Sequence, residues 1–371
     1  MSKGLKGIIA AETSISMIDG ERGLLIYRGF DAKELALTRS FEEAAYLIWH
    51  GELPDGNQLD ALKVMLKEKR MLQPETIAML QALPADMELM AAIRTVISSM
   101  GTRKFNEKPV IEQAIELMAV IPSVIAWRYR ENKGLLQIEP DESLNHVENF
   151  LYMLTGERRL GAKRDALEAY MILTMEHGMN ASSFAARVIA STESDLASAV
   201  TGAAGAMKGP LHGGAPSGVI ELLNEIESGG IERILRLKLN NGEKLMGFGH
   251  RVYKTADPRA IALREIAQRV SGNNSWLELA VEVEDCAVRL LKEYKPGRNL
   301  YANVEFYAAA VMKAIGMEDE LFTPAFTAAR ITGWTAHVME QWSDNAIYRP
   351  DARYIGVIKE KGMRAAAEKK G

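Results

Sequence analysis

The stretch Ala197-Ser-Ala-Val-Thr-Gly-Ala-Ala-Gly-Ala-Met207 runs straight into Lys208-Gly-Pro-Leu-His212-Gly-Gly-Ala-Pro216. The first part carries small residues throughout, which lets one helix lie close against another. The second part sets Gly209, Pro210, Gly213 and Gly214 around a histidine, and a new apolar stretch starts at Pro216. Glycine opens backbone angles closed to other residues and lets a ligand approach the main chain. Proline at the first position of a helix is pre-organised for it. The unit is therefore a helix, a glycine turn presenting an imidazole, and a second helix.

Outward from that unit the same grammar repeats. Aliphatic and Met residues recur at three- and four-residue spacing over about 57–71, 74–83, 85–100, 109–131, 143–154 and 162–175. Beyond His212 the pattern returns over about 216–227, 231–239, 258–270, 277–294, 303–315 and 323–342. Such stripes are the core-facing sides of helices. Ser40-Phe-Glu-Glu43 is a capping box opening the apolar run Ala44 to Trp49, which stops at Gly51 and Pro54. Only residues 7–29 read as β: Ser14-Ile-Ser-Met-Ile18 and Gly23-Leu-Leu-Ile-Tyr-Arg28 flank Asp19-Gly20, a favoured tight hairpin turn. No period of 20 to 50 residues argues for a solenoid. The expected fold is all-α with a small N-terminal β-hairpin.

Composition narrows the function classes. The chain has 371 residues, 47% hydrophobic and 25% charged, as in an ordinary globular protein. A net charge of -4 gives no overall basic field for nucleic acid. The single Cys286 excludes an internal disulfide framework and a cysteine metal cluster. Neither a secretory signal nor a run of about 18 apolar residues is present, so no membrane partner and a cytoplasmic location are expected.

Three of the six histidines stand in glycine-flanked turns. His177 lies in Glu176-His-Gly-Met-Asn-Ala-Ser182, His212 in the stretch above, and His250 in Met246-Gly-Phe-Gly-His-Arg-Val-Tyr-Lys254. His50, His146 and His337 fall within helical patterns and read as structural. Glu305, in Asn303-Val-Glu-Phe, stands near a helix N-terminus, where the dipole favours an acid whatever its role. Two imidazoles and a carboxylate on turns suggest proton chemistry on a small organic substrate. Arg259, Arg298, Arg330 and Arg349 are candidate anion binders, since the guanidinium fork matches a carboxylate. Metal-binding His-Glu-x-x-His and Cys-x-x-Cys spacings, a phosphate loop, a dinucleotide fingerprint and a nucleophile elbow are all missing.

Taken in order, Ile18-Asp-Gly-Glu-Arg-Gly-Leu-Leu-Ile-Tyr-Arg-Gly29, Met207-Lys-Gly-Pro-Leu-His-Gly-Gly-Ala215, Met246 through Asp257-Pro-Arg259, and Asn303-Val-Glu305 resemble the citrate synthase family over about residues 4–356. The resemblance implies a two-domain helical fold closing over a cleft. The large, dimer-forming domain would comprise residues 1–214 and 319–371, and the small domain 215–318. It implies condensation of acetyl-CoA with oxaloacetate and hydrolysis to citrate and CoA, a reaction of the tricarboxylic acid cycle. CoA thioester is a substrate there; no cofactor and no metal are implied. The expected partner is a second copy of the chain, with active sites shared between subunits.

The same resemblance implies roles for individual residues. Glu305 would take a proton from the acetyl methyl, neutral His212 would stabilise the enolate oxygen, and His250 would polarise the ketone and protonate it. His177, Arg259, Arg330 and Arg349 would hold the dicarboxylate, Arg349 from the partner subunit. Leu245, Met246, Gly247, Phe248 and Gly249 would lie along CoA, with Lys254 and Arg298 near its phosphates. Most of the family has Asp where this chain has Glu305, and a carboxylate displaced by roughly 1 Å can cost about a hundredfold in rate. Three alternatives stay open: a 2-methylcitrate synthase using propionyl-CoA, with the same catalytic groups and room for one more methyl; a weakly active or non-catalytic dicarboxylate or acyl-CoA sensor, suggested by Glu305; and a metal-dependent lyase built on the three turn histidines.

Overall fold

The computed structural model describes residues 3–5, 7–105, 108–158, 161–250, 252–270, 275–298 and 300–357. Strands Ser16–Asp19 (β1), Leu24–Tyr27 (β2) and Phe30–Asp31 (β3) form one antiparallel sheet in that order. Ser16 pairs with Tyr27 and Asp19 with Leu24, so the loop between β1 and β2 has four residues, not the two expected around Asp19-Gly20. Asp19 itself explains the longer loop. Its Oδ1 accepts from the backbone N–H of Glu21 at 3.1 Å and of Arg22 at 2.9 Å, winding the chain once more before β2.

Helices make up nearly all the remaining regular structure. The first eight are Ala32–Thr38 (α1), Phe41–His50 (α2), Gly56–Lys69 (α3), Pro74–Ala82 (α4), Leu89–Ser99 (α5), Ile111–Asn132 (α6), His146–Thr155 (α7) and Gly161–Thr174 (α8). Next come Ala181–Ala190 (α9), Leu196–Met207 (α10), Ala215–Gly229 (α11) and Ile231–Asn240 (α12). Pro258–Val270 (α13), Ser275–Tyr294 (α14), Val304–Ala314 (α15) and Phe322–Ser343 (α16) complete the set. The all-α expectation holds. The Ser40–Glu43 capping box is formed, and Gly51 closes α2 at φ 87°. Residues 85–88, expected in helix, form a turn in which Met87 N–H reaches Pro84 O, so α5 starts late. Helices α1 and α9 lack a long apolar period and are found only in the structure. The basic tail from Lys359 onward lies outside the described residues.

Helix α16 is the spine. It is buried along most of its length and packs against α6, α8, α9 and α10. The small residues of α10 bring it against α9, as their size predicts. Two helical glycines measure how close such contacts are. A Cβ on Gly202 of α10 would meet only Ile189 Cδ1, the end of a flexible side chain. A Cβ on Gly333 of α16 would stand 2.4 Å from Met175 O and 2.5 Å from Glu176 Oε2. Met175 O is backbone and cannot move without shifting the turn that follows α8.

Overpacking a rigid contact costs about 1–3 kcal/mol, while Gly→Ala inside a helix returns roughly 0.5–1 kcal/mol. Gly333→Ala should therefore be destabilising on balance and lower the thermal midpoint. Gly202→Ala should be near neutral, because Ile189 can change rotamer. Calorimetric melting of the two variants checks this, and equal midpoints would contradict the rigid-contact reading.

Candidate active site

The site is assembled from the ends of helices. After α8 the chain leaves helical geometry at Met175, and His177 stands in the turn before α9, with Gly178 at φ 59°. The turn is held from below. Tyr27 Oη–H donates to Glu176 O at 2.7 Å, Ser16 Oγ–H to Glu176 Oε1 at 3.0 Å, and His337 Nε2 lies 3.1 Å from the same oxygen. Arg187 Nε–H donates to His337 Nδ1 at 2.9 Å, which fixes the ring beside Glu176. His337 is thus structural, as are His146, stacked on Phe41, and His50, stacked on Tyr46.

His250 ends a segment built by glycine. Gly247 and Gly249 have φ of 84° and 86°, and the segment pairs with residues 301–303 through Phe248 and Ala302. Gly249 N–H donates to Tyr301 O at 2.8 Å and Asn303 N–H to Gly247 O at 2.9 Å. The imidazole Nδ1 accepts from Val252 N–H at 3.0 Å and Tyr253 N–H at 3.1 Å. With Nδ1 an acceptor twice over, the neutral ring carries its proton on Nε2. Burial first, then Arg259, holds this histidine down at about 4.

Arg259 opens α13 and is 3% exposed. Its Nε–H and Nη2–H donate to the two oxygens of Asp257 at 3.1 and 2.8 Å, a bidentate pair. Asp257 Oδ2 also accepts from Val304 N–H at 3.1 Å, so one carboxylate ties Arg259 to the first turn of α15. Burial works against the Arg259 charge, and Asp257 more than offsets it. Arg259 Nη2 stands 3.4 Å from His250 Nε2. Both atoms are donors, so this is no hydrogen bond. It is a place where two N–H groups wait for one acceptor.

Glu305 sits in the first turn of α15, after the N-cap Asn303, whose Oδ1 accepts from Phe306 N–H at 3.4 Å. Its carboxyl is raised above the ordinary value by burial, against the pull of Arg259. His212 lies between α10 and α11, with Nε2 2.8 Å from Ser182 Oγ. Ser182 Oγ accepts from Trp334 Nε1–H at 3.0 Å and lies 2.7 Å from Asn180 Oδ1. The Ser182 Oγ–H donates to Asn180 Oδ1, which also accepts two backbone N–H groups as the cap of α9, so the Ser182 oxygen is left to accept from His212 Nε2. Burial, then Arg330, holds His212 at about 4. His177 is lowered well below its ordinary value by burial, then by Arg259 and Arg330, with the other two histidines adding to it. All three turn histidines are neutral at physiological pH.

Arg330 on α16 is 1% exposed. Its Nε–H donates to Thr174 O at 2.6 Å and its guanidinium lies over Phe326, 4.7 Å from the ring centroid. Its Nη1 has no partner at all. A buried, unpaired guanidinium nitrogen costs free energy unless an anion joins it.

The structure thus brings His177, His250 and Arg259 into direct contact, with the His177 and His250 centroids 5.7 Å apart. The first turn of α15, which carries Glu305, is tied to Arg259 through Asp257, and His212 is linked to Arg330 through Phe326, 6.1 Å from its ring. Three expected residues stand apart. Arg349 is exposed on the segment after α16. Lys254 is exposed and ion-paired to Glu21 of the β1–β2 loop, and Arg298 is exposed after α14. In the expected CoA segment, Leu245 is buried and Met246 exposed, while Phe248 packs on Phe306 at 4.9 Å. Four groups went unnoticed in the sequence: Tyr253, whose hydroxyl is 3.2 Å from His177 Nε2, Ser182, Asp257 and Glu176. Tyr253 and Asp257 lie inside the quoted His250 motif, whereas Ser182 carries no signal beyond following a cap. Among the described residues no group of His, Cys, Asp and Glu is arranged to hold a metal ion.

Comparison with known proteins fits this geometry. A family model described as "Citrate synthase, C-terminal domain" matches residues 4–351. The citrate synthase of Haloferax volcanii is 40% identical over 370 residues, covering 96% of each chain. The 2-methylcitrate synthase of Shewanella oneidensis is 39% identical over 367 residues, again covering 96% of each. The crystal structure of citrate synthase from Thermotoga maritima superposes with a TM-score of 0.86 at 40% identity, covering 97% of each chain. With match, fold and clustered turn histidines in agreement along nearly its whole length, this chain belongs to the citrate synthase family.

Proposed function

We propose that this enzyme condenses acetyl-CoA with oxaloacetate and hydrolyses the citryl-CoA formed to citrate and CoA. One observation carries the reading. Arg330 Nη1 is buried without a hydrogen-bond partner, and Arg259 Nη2, bonded to Asp257 Oδ2, stands 3.4 Å from His250 Nε2. Such a cluster suits an oxygen-rich anion: a keto dicarboxylate supplies carboxylates for the guanidiniums and a ketone oxygen for the imidazole.

In this reading Glu305 removes a methyl proton from the thioester. Its raised basicity suits the task, since desolvation makes a carboxylate a stronger base. Neutral His212 holds the developing enolate oxygen by hydrogen bond, where fixed donors lower the barrier most. The enolate carbon attacks the ketone carbon, and the ketone oxygen takes the His250 Nε2 proton to become the hydroxyl of citryl-CoA. Water then cleaves the thioester, giving citrate and CoA. Lys254, Arg298 and the 245–249 backbone are assigned to CoA, residues 215–318 to a small domain closing on the rest, and the protein to the cytoplasm. Among the described residues no helix is long and apolar enough to cross a membrane.

A homodimer completes the site. Ile9, Ile347, Ile355 and Val357 are 88%, 63%, 90% and 83% exposed on the two terminal segments, apolar surface suited to a second copy. Arg349 lies on the same C-terminal segment and is assigned to the partner's dicarboxylate. A second reading has propionyl-CoA as substrate, favoured by the relative named 2-methylcitrate synthase.

Four outcomes follow from these assignments. CoA release should favour acetyl-CoA over propionyl-CoA, with kcat/KM apart by about 10–200-fold, the worth of one methyl in a fitted pocket; the reverse order makes the enzyme a 2-methylcitrate synthase. Glu305→Gln should lower kcat by about 10²–10⁴-fold and leave oxaloacetate binding intact, and equal rates would remove Glu305 as the base. The wild-type rate should fall as pH drops through a value above 4.5, the ordinary glutamate figure, because the carboxyl is raised and the base form is lost on protonation. Mixing inactive Arg349→Ala with inactive His250→Asn under subunit exchange should restore activity at up to about a quarter of sites, since one hybrid site takes both intact residues. A mixture that stays inactive contradicts sharing.

A further inference from the structure

The β1–β2 hairpin is the feature the reaction leaves unused, and it touches both histidine-bearing segments on the oxoacid side. Toward His177, Ser16 Oγ–H and Tyr27 Oη–H donate to the carboxylate and carbonyl of Glu176. Ile18 Cδ1 would lie 3.0 Å from a Cβ on Gly178. Toward His250, Lys254 N–H donates to Gly20 O at 2.9 Å. A Cβ on Gly20 would stand 2.3 Å from Val252 O, and one on Gly23 would stand 2.6 Å from Thr255 Oγ1 and 3.1 Å from Ala256 O. Backbone lies against backbone. The Lys254–Glu21 ion pair adds little, because both side chains are about 70% exposed.

Val252, against which this loop presses, and its neighbour Tyr253 supply the two N–H groups that fix the His250 tautomer. We propose that the hairpin is a positioning bracket for the oxoacid subsite, spacing His177 from His250 and pressing the Val252–Tyr253 amides onto His250 Nδ1. The bracket rests on the assignment of His250 to the oxoacid above. It acts through these histidines and touches no substrate. The groups facing the His250 ring are Arg259, Asp257 behind it, His177 and Tyr253, all of which keep their places if only the bracket loosens.

Two full-length variants loosen it by different means. Gly20 is outside the left-handed region, so Gly20→Ala acts through its clash with Val252 O alone. Asp19→Ala introduces no clash and removes the acceptor that winds the loop, while Asp19→Asn keeps an oxygen in place. Oxaloacetate Kd by titration calorimetry should rise about ten-fold in both alanine variants, the worth of one or two neutral hydrogen bonds, and recover to within about two-fold in Asp19→Asn. KM for acetyl-CoA at saturating oxaloacetate should stay within about two-fold of wild type. Histidine-selective ¹⁵N NMR should show His250 move from a pure Nε2–H form to a mixture. A folded Gly20→Ala or Asp19→Ala protein with wild-type oxaloacetate Kd and a pure Nε2–H His250 overturns the proposal. So does an equal loss for both substrates, which signals general loosening. His250→Asn run in parallel separates the two claims. If it leaves oxaloacetate Kd unchanged, the assignment of His250 fails; if it weakens binding while the hairpin variants do not, only the bracket fails.

Discussion

Two buried guanidiniums, Arg259 and Arg330, lie near enough to act on each other's charge, and the rest of the site follows from keeping them charged there. Like charges in a medium poorer than water repel strongly, and each loses hydration besides. The fold answers the two problems differently. Arg259 has a contact partner in Asp257, so it stays firmly charged. Arg330 has Glu176 as a neighbouring charge without a direct bond; burial pulls its basicity down and Glu176 only opposes this. The difference leaves Arg330 Nη1 free for an anion. Burial first, and these cations second, keep the three imidazoles neutral. Neutral rings are what hydrogen-bond donation to a carbonyl or enolate oxygen calls for, since a cation there would lose its proton instead of sharing it.

Helix ends turn this electrostatic arrangement into positions. His177 follows α8, His212 follows α10, Arg259 begins α13 and Glu305 begins α15. A helix terminus has unpaired backbone groups and a sharp change of direction, so a side chain there can be aimed without interrupting a core-facing stripe. Asp257 exploits the first property. Its carboxylate accepts from Arg259 backbone and side chain and from Val304 N–H, so the start of α13 and the start of α15 share one anion. Removing that anion would release Arg259 and shift Glu305 together.

What the sequence disclosed was whatever depends on local physics. The apolar periods gave most helices, the Ser40–Glu43 box and Gly51 gave the ends of α2, and the glycines at 247 and 249 gave an irregular backbone around His250. The hairpin register was misjudged because Asp19 spends its side chain on the loop amides, a choice that strand propensity does not record. Tyr253 and Ser182 escaped notice because their roles arise from contacts with His177 and His212, about 76 and 30 residues distant in the chain. Nothing local marks a tyrosine as the partner of a histidine that far away. Arg349 illustrates the opposite limit. Its assignment came from resemblance alone, and within one subunit it lies on an exposed segment.

Glu305 is where local and tertiary constraints meet most sharply. One more methylene than aspartate pushes the carboxylate outward from α15, and the helix cannot simply retreat. Val304 N–H is held by Asp257, Asn303 Nδ2–H donates to Gly249 O at 2.9 Å, and Phe306 packs against Phe248. Backing α15 away by the length of a carbon–carbon bond would break the anion shared with Arg259 and unpair the strand-like contact that carries His250. The adjustment therefore has to come from the glutamate's own rotamer, which has one more torsion to use, or from the room left to the acyl group. In the first case the base reaches the same point with extra conformational entropy to lose. In the second the longer acid occupies space that a larger acyl chain would need, which works against propionyl-CoA more than against acetyl-CoA. The clamp on Val304 makes the identity of this one side chain a question of acyl selectivity as well as of rate.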